Sequence, residues 1–166
     1  MRYKLVLLDR DGVINHPSKR QRYVYEESDF LIYDDVNTFI HEVFKAGTKV
    51  AIITNQRGIS LGIYTQKEVM NLHDILIKHC NIESHQLKIF FCPHDLDECE
   101  CRKPKSGLLR QAVESESLSY SEVLFIGDQE SDRLAAFDLD VDFIKLSRHE
   151  DSTDKKSLIE ILEMIR

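Results

Sequence analysis

The sequence predicts an α/β protein built on a doubly wound, mostly parallel sheet of the Rossmann-like kind, and two observations carry that prediction. Short apolar, β-prone runs alternate with segments of helical period along the whole chain. The residues able to do chemistry gather just past the carboxyl ends of those runs, where open parallel sheets bind their ligands.

The first run, Leu5 to Leu8, ends in Asp9, Arg10, Asp11 and Gly12. Side chains two apart on an extended segment leave the same face, so Asp9 and Asp11 are expected to converge while Arg10 turns away. From Val13 to Tyr33 the chain is polar and irregular and carries Lys19, Arg20, Arg22, Tyr23 and Tyr25, which reads as a loop or flap. After Asp35, the apolar residues Val36, Phe39, Ile40, Val43 and Phe44 mark an amphipathic helix, with Gly47 placed as its C-terminal cap. A second run, Lys49 to Ile53, delivers Thr54, Asn55, Gln56, Arg57 and Gly58. Strand, helix and strand make a βαβ unit.

Thr65 and Glu68 form a capping-box pattern ahead of a helix with Val69, Leu72, Leu76 and Cys80 on one face; His73 and His79 read as ordinary members of it. The third run, Leu87 to Phe91, leads into a loop from Cys92 to Cys101. Ser106 is placed to cap a helix bearing Leu108, Leu109, Ala112 and Val113. The fourth run, Val123 to Ile126, ends in Gly127 and Asp128, and a short helix with Leu134, Ala135 and Phe137 on its apolar side follows. A fifth strand from Phe143 to Leu146 and a last helix with Leu158, Ile161, Leu162 and Ile165 complete the alternation. No repeat, linker or low-complexity tract interrupts it, so residues 1–166 read as a single domain without a large inserted cap.

Composition narrows the partners. With 29 acidic against 22 basic residues the formal charge is −7, which argues against a nucleic-acid or membrane-surface binder. The chain runs from Met1 straight into its first strand without the pattern of a signal peptide, and the expected location is the cytoplasm. In a reducing compartment, four cysteines with three of them close together point to a metal before a disulfide.

Two carboxylates about 4 Å apart repel by roughly 4 kcal/mol at an effective dielectric near 20. Asp9, Asp11 and Asp128 therefore call for a hard cation such as Mg²⁺, which takes carboxylate and phosphate oxygens. Asp132 can approach from the first turn of the next helix, or can simply cap it. Lys103, held by Pro104 ahead of a helix, can neutralise a phosphate or an aspartate, while Thr54 and Asn55 offer neutral donors. A carboxylate nucleophile, a metal, a lysine, hydrogen-bond donors and a second carboxylate to move a proton together describe phosphoryl transfer. Separately, Cys92, His94, Cys99 and Cys101 supply three sulfurs and an imidazole, enough for one closed tetrahedral zinc shell.

Asp9-Arg-Asp11-Gly-Val-Ile-Asn15, Thr54-Asn-Gln56, Lys103 and Gly127-Asp128 with Asp132 are similar, in order and spacing, to the four motifs of haloacid dehalogenase superfamily phosphatases. The resemblance implies that Asp9 attacks the phosphoryl group and that Asp11 serves as acid and then base. It implies that Thr54 and Lys103 hold the phosphate, with Mg²⁺ on Asp9, the backbone carbonyl of Asp11 and Asp128. The cysteine loop running into Cys-Arg-Lys-Pro resembles the branch that holds heptose 1,7-bisphosphate phosphatases and the phosphatase domain of histidinol-phosphate phosphatase. Gln129 stands where both usually place a basic residue.

The substrate expected is a small phosphorylated metabolite. Positive side chains at Lys19, Arg20, Arg22, Arg57 and Arg102 favour a sugar bisphosphate over histidinol phosphate, with Asn55, Arg57 and Arg102 as the binding residues. A monomer or weak homodimer is expected. The rival classes are a receiver-like phosphoacceptor and a zinc-stabilised binding module, neither of which needs the full set of Asp9, Asp11, Lys103 and Asp128.

Overall fold

The computed structural model describes residues 2–148 and 156–166. Five strands form one sheet: β1 (Leu5–Leu8), β2 (Lys49–Asn55), β3 (Leu87–Cys92), β4 (Val123–Gly127) and β5 (Asp142–Lys145). Their order is β3-β2-β1-β4-β5, and every pairing is parallel. The first strand in sequence is thus the central one in space. From it the chain steps outward to β3 on one side, then crosses back to lay β4 against the other edge of β1. That reversal opens a crevice at the carboxyl ends of β1 and β4.

Burial on both faces explains why β1 is apolar throughout. Val6 and Leu8 join one core with Val50, Ile52, Leu124 and Ile126. That core is covered by α1 (Asp35–Lys45), α2 (Gln66–His79) and α5 (Leu158–Ile165). Leu5 and Leu7 face the opposite way, onto α3 (Gly107–Glu114) and α4 (Glu130–Phe137). The two-residue alternation of a pleated strand therefore sorts neighbours into separate layers.

Local signals behave largely as expected. The Thr65–Glu68 capping box opens α2, and Gly47, at φ +76°, follows the end of α1. Three expectations change. Ser106 makes no capping bond to α3; its hydroxyl donates to Asp138 Oδ2 at 2.5 Å, tying α3 to the end of α4. Leu134 and Phe137 are exposed, at 41% and 77%, and the buried side of α4 is Asp132, Ala135 and Ala136. Small residues there let the helix sit close to β4: a Cβ on Gly127 would lie 2.5 Å from Asp132 Cβ. The fifth strand begins at Asp142 and stops at Lys145, with Leu146 fully buried just beyond it.

The Val13 to Tyr33 segment is irregular apart from a short 3-10 turn at Glu27–Asp29. It is nonetheless pinned down, because Val13, Ile14, Val24 and Phe30 are buried in the core beneath it. It forms a fixed wall on the crevice rather than a freely solvated loop.

Candidate active site

Asp9 leaves β1 at the mouth of the crevice and is 6% exposed. Lys103, 4% exposed, reaches in from the loop before α3. Its ammonium donates to Asp9 Oδ1 at 2.6 Å and to the Ile53 carbonyl at 2.9 Å, and pairs with Asp132 Oδ1 at 2.6 Å. Asn55 holds the same loop by its backbone, donating to the Lys103 carbonyl at 3.0 Å and accepting from the Lys103 N–H at 3.1 Å. A lysine so placed costs desolvation, but Asp9 and Asp132 outweigh it and raise its pKa, so it stays charged.

The acids outnumber that one cation. Ligand atoms of Asp9, Asp128 and Asp132 lie within 4.8 Å of one another. Burial first, then the carboxylates of Asp132 and Asp128 against the opposing Lys103, push the Asp9 carboxyl well above its ordinary range. Burial likewise raises Asp128. Asp128 Oδ2 accepts from Gln129 Nε2 at 2.6 Å, but Oδ1 is buried with no partner among the described residues. A buried acceptor without a donor and two excess negative charges are what a small divalent cation would satisfy, so the residues fit one. Gly12 makes the approach possible: at φ +96° it turns the chain after β1, and a Cβ there would sit 2.4 Å from Asp128 Oδ2.

Asp11 is placed differently from its neighbour. Its carboxylate accepts from Arg10 Nε and Nη2, from Asn15 Nδ2 at 3.0 Å and from Gln56 Nε2 at 3.2 Å. It stands beside the acidic cluster without being part of it. Asp9, Asp11, Thr54, Asn55, Lys103 and Asp128 all line one cavity of about 290 Å³.

The second cluster is the cysteine loop. Cys92, Cys99 and Cys101 place their sulfurs 3.2 to 3.5 Å apart, with His94 Nδ1 3.3 Å from Cys101 Sγ and 3.5 Å from Cys92 Sγ. Four soft donors converging at these spacings are compatible with a tetrahedral zinc shell, whose zinc–sulfur bonds run to about 2.3 Å.

The family profile described as Polynucleotide kinase 3 phosphatase matches residues 4–156. The chain belongs to this haloacid dehalogenase-type phosphatase family. D-glycero-alpha-D-manno-heptose-1,7-bisphosphate 7-phosphatase of Campylobacter jejuni is 36% identical over 151 residues, covering 90% of this chain and 86% of that protein. D-glycero-beta-D-manno-heptose-1,7-bisphosphate 7-phosphatase of Pseudomonas putida is 37% identical over 135 residues, covering 80% and 76%. The crystal structure of D,D-heptose 1,7-bisphosphate phosphatase from B. bronchiseptica, complexed with magnesium and phosphate, shares the fold. It matches with a TM-score of 0.84 over 98% of this chain and 97% of that one, at 23% identity. A haloacid dehalogenase-like hydrolase from Streptococcus pneumoniae matches with a TM-score of 0.66 over 99% of each chain, at 10% identity.

Not every residue singled out in the sequence of this phosphatase reaches the cavity. Arg57 is ion-paired with Asp95 and so links the loop after β2 to the cysteine loop. Neither Arg57 nor Arg102 lines the cavity, although Arg102 keeps a buried guanidinium nitrogen, Nη1, with no partner among the described residues. Arg10, expected to turn away, is fully buried, and its guanidinium folds back onto Asp11 and the Val24 carbonyl. Gln56, buried, stands in the Thr54-Asn-Gln56 motif but carries no role there that the sequence assigns, and the buried Tyr64 has no signal in the sequence, since no spacing rule links position 64 to position 11.

No described helix of the phosphatase is long and apolar enough to cross a membrane.

Proposed function

We propose that this phosphatase removes the 7-phosphate of D-glycero-D-manno-heptose 1,7-bisphosphate, with Asp9 as nucleophile and Asp11 as acid and base. The observation that carries the chemistry is the Lys103 ammonium 2.6 Å from Asp9 Oδ1, inside the cavity that also holds Asp11, Thr54 and Asp128. The names of the relatives support the substrate.

An Asp9 carboxylate oxygen attacks phosphorus, the bond from phosphorus to the sugar oxygen breaks, and Asp11 gives its proton to that oxygen as the alcohol leaves. Water then attacks the phosphorus of the aspartyl phosphate and Asp11 takes its proton. The bond to Asp9 breaks, inorganic phosphate departs and both carboxyls return to their starting states. Lys103 and the Thr54 hydroxyl hold the phosphoryl oxygens through both steps. Magnesium held by Asp9, the Asp11 carbonyl and Asp128 would supply the positive charge that the transferring group needs.

Zinc on Cys92, His94, Cys99 and Cys101 is proposed as structural, since a closed shell of four protein ligands leaves no position for substrate. Arg102, beside Lys103 and with one guanidinium nitrogen unpartnered, is assigned to the second phosphate. The wider setting proposed is one catalytic domain acting in the cytoplasm as a monomer or weak homodimer on a soluble metabolite, without nucleic acid. The acidic charge and cysteine usage support it.

Comparing kcat/KM for both anomers of the heptose bisphosphate with that for histidinol phosphate tests the substrate. A preference for histidinol phosphate of tenfold or more overturns it. Arg102→Ala is expected to raise KM for the bisphosphate far more than for a simple monophosphate.

A further inference from the structure

Gln56 follows the end of β2 and is 1% exposed. Its side chain is committed in three directions: Nε2 donates to Thr54 Oγ1 at 2.8 Å and to Asp11 Oδ2 at 3.2 Å, and Oε1 accepts from the Tyr64 hydroxyl at 2.8 Å. The neighbours orient that amide: its NH₂ group faces the Asp11 carboxylate and its carbonyl faces Tyr64, whose hydroxyl donates.

Tyr64 is itself locked. Its ring covers Gly58 so closely that a Cβ there would lie 2.0 Å from Cε1. Tyr25 stacks on it at 5.1 Å between ring centroids, and Tyr23 meets it edge-on at 5.8 Å. Burial pushes the Tyr64 pKa up to about 12, so the hydroxyl remains a neutral donor. The wall segment of residues 13–33 thus bears on Gln56 through one ring.

We infer that Gln56 is a positioning residue for the proton transfer at Asp11, and that Tyr64 sets Gln56; the inference rests on the proposed role of Asp11. The other grips on the Asp11 carboxylate come from Arg10 and Asn15, which belong to its own turn and move with it. Gln56 alone among these donors comes from elsewhere in the chain, just past β2 and 45 positions away. Because the same amide nitrogen also donates to Thr54, it fixes the separation between the proton donor and a hydroxyl that grips phosphate. It fixes the direction of that hydroxyl as well: Thr54 Oγ1 accepts from Gln56, so its own hydrogen is free to point into the cavity. A misplacement of about 1 Å at such a group can cost about a hundredfold in rate.

The test compares two leaving groups. A sugar or alkyl phosphate expels an alkoxide that needs a proton, whereas p-nitrophenyl phosphate expels a stable anion that does not. kcat/KM reports the steps through departure of that group. Asp11→Asn serves as the reference and is expected to lose far more kcat/KM on the alkyl substrate than on the aryl one. Gln56→Met, which keeps the shape and removes the hydrogen bonds, is expected to lose about ten- to a hundredfold on the alkyl substrate and at least about tenfold less on the aryl one. Tyr64→Phe, which keeps the ring, is expected to shift the same ratio in the same direction by a smaller factor, and it decides the matter if Gln56→Met does not fold. If Asp11→Asn separates the substrates and neither other variant does, the role of Gln56 is overturned while that of Asp11 stands. If Asp11→Asn fails to separate them, both fall.

Discussion

Lys103 Nζ and Asp9 Oδ1 lie 2.6 Å apart although the two residues stand 94 positions apart in the chain, and both side chains are almost wholly buried. Removing one member of a buried pair leaves the other uncompensated, typically at about 3–5 kcal/mol. Lys103→Met is therefore expected to lower the melting temperature sharply and abolish turnover, because Asp9 and Asp132 both lose their partner. Asp9→Asn is expected to abolish turnover with little loss of stability, since it removes a charge from an over-acidic cluster. Equal melting temperatures for Lys103→Met and wild type would contradict the account.

The excess of carboxylates predicts a cation dependence. Magnesium is expected to stabilise the wild-type protein, as any ligand of the folded state does, by about 2.7 kcal/mol at a hundred times its dissociation constant, and so to raise its melting temperature. Asp128→Asn, which alters the carboxylate whose Oδ1 has no partner among the described residues, is expected to blunt that rise. Calorimetric scans with and without the ion read the difference, and an unchanged response in the variant would rule out Asp128 as a ligand.

Elemental analysis of the purified protein is expected to find about one zinc per chain, and much less in Cys99→Ser. Because Lys103 follows Cys101 by two positions, the same variant is expected to lose activity along with metal. A fully active, zinc-free preparation would show that the loop orders itself without the ion.

His73 predicts an acid weakness away from the site. It is 2% exposed, both ring nitrogens lack partners among the described residues, and burial followed by the nearby Arg10 charge lowers its pKa to about 3. The unfolded chain takes up this proton near the ordinary 6.5, whereas the folded protein does not until about 3. The contribution of His73 to stability is thus complete above pH 6.5 and is lost as the pH falls toward 3, with a slope of at most about 1.4 kcal/mol per pH unit. His73→Phe is expected to flatten that part of the stability profile with little loss at neutral pH, since an apolar ring leaves no unpaired nitrogen. Denaturant titrations between pH 4 and 7 measure it, and an identical slope in the variant would assign the acid sensitivity elsewhere.

Much of this architecture was legible because the relevant signals are local. Four apolar runs ending in polar residues located β1 to β4, and the first polar residue past three of them was enough to place Asp9, Thr54 and Asp128 at a common edge. Lys103 was legible as a cation for a phosphate or an aspartate from Pro104 and the helix after it, but nothing in its neighbourhood tells that the aspartate it meets is Asp9. What could not be read was set by tertiary contact. The exposed faces of Leu134 and Phe137 follow from how tightly α4 packs at Gly127, a distance no periodicity encodes. Arg10 obeyed the strand alternation at its backbone, yet its long side chain curled back to the residue beside it. Arg57 looked free in sequence because its partner, Asp95, lies 38 positions away on another loop.

The place of β1 in the sheet has a consequence for how the enzyme could be divided. The first strand made is the middle strand of the finished sheet, flanked by β2 on one side and by β4, more than a hundred residues later, on the other. A cut in the exposed turn at Ser117, which precedes β4, would leave Asp9, Thr54 and Lys103 on one piece and Asp128 and Asp132 on the other. Each half would then hold an unfinished crevice and an uncovered edge shaped for its counterpart, a natural split point for a reporter that recovers phosphatase turnover only when two fused proteins bring the pieces together.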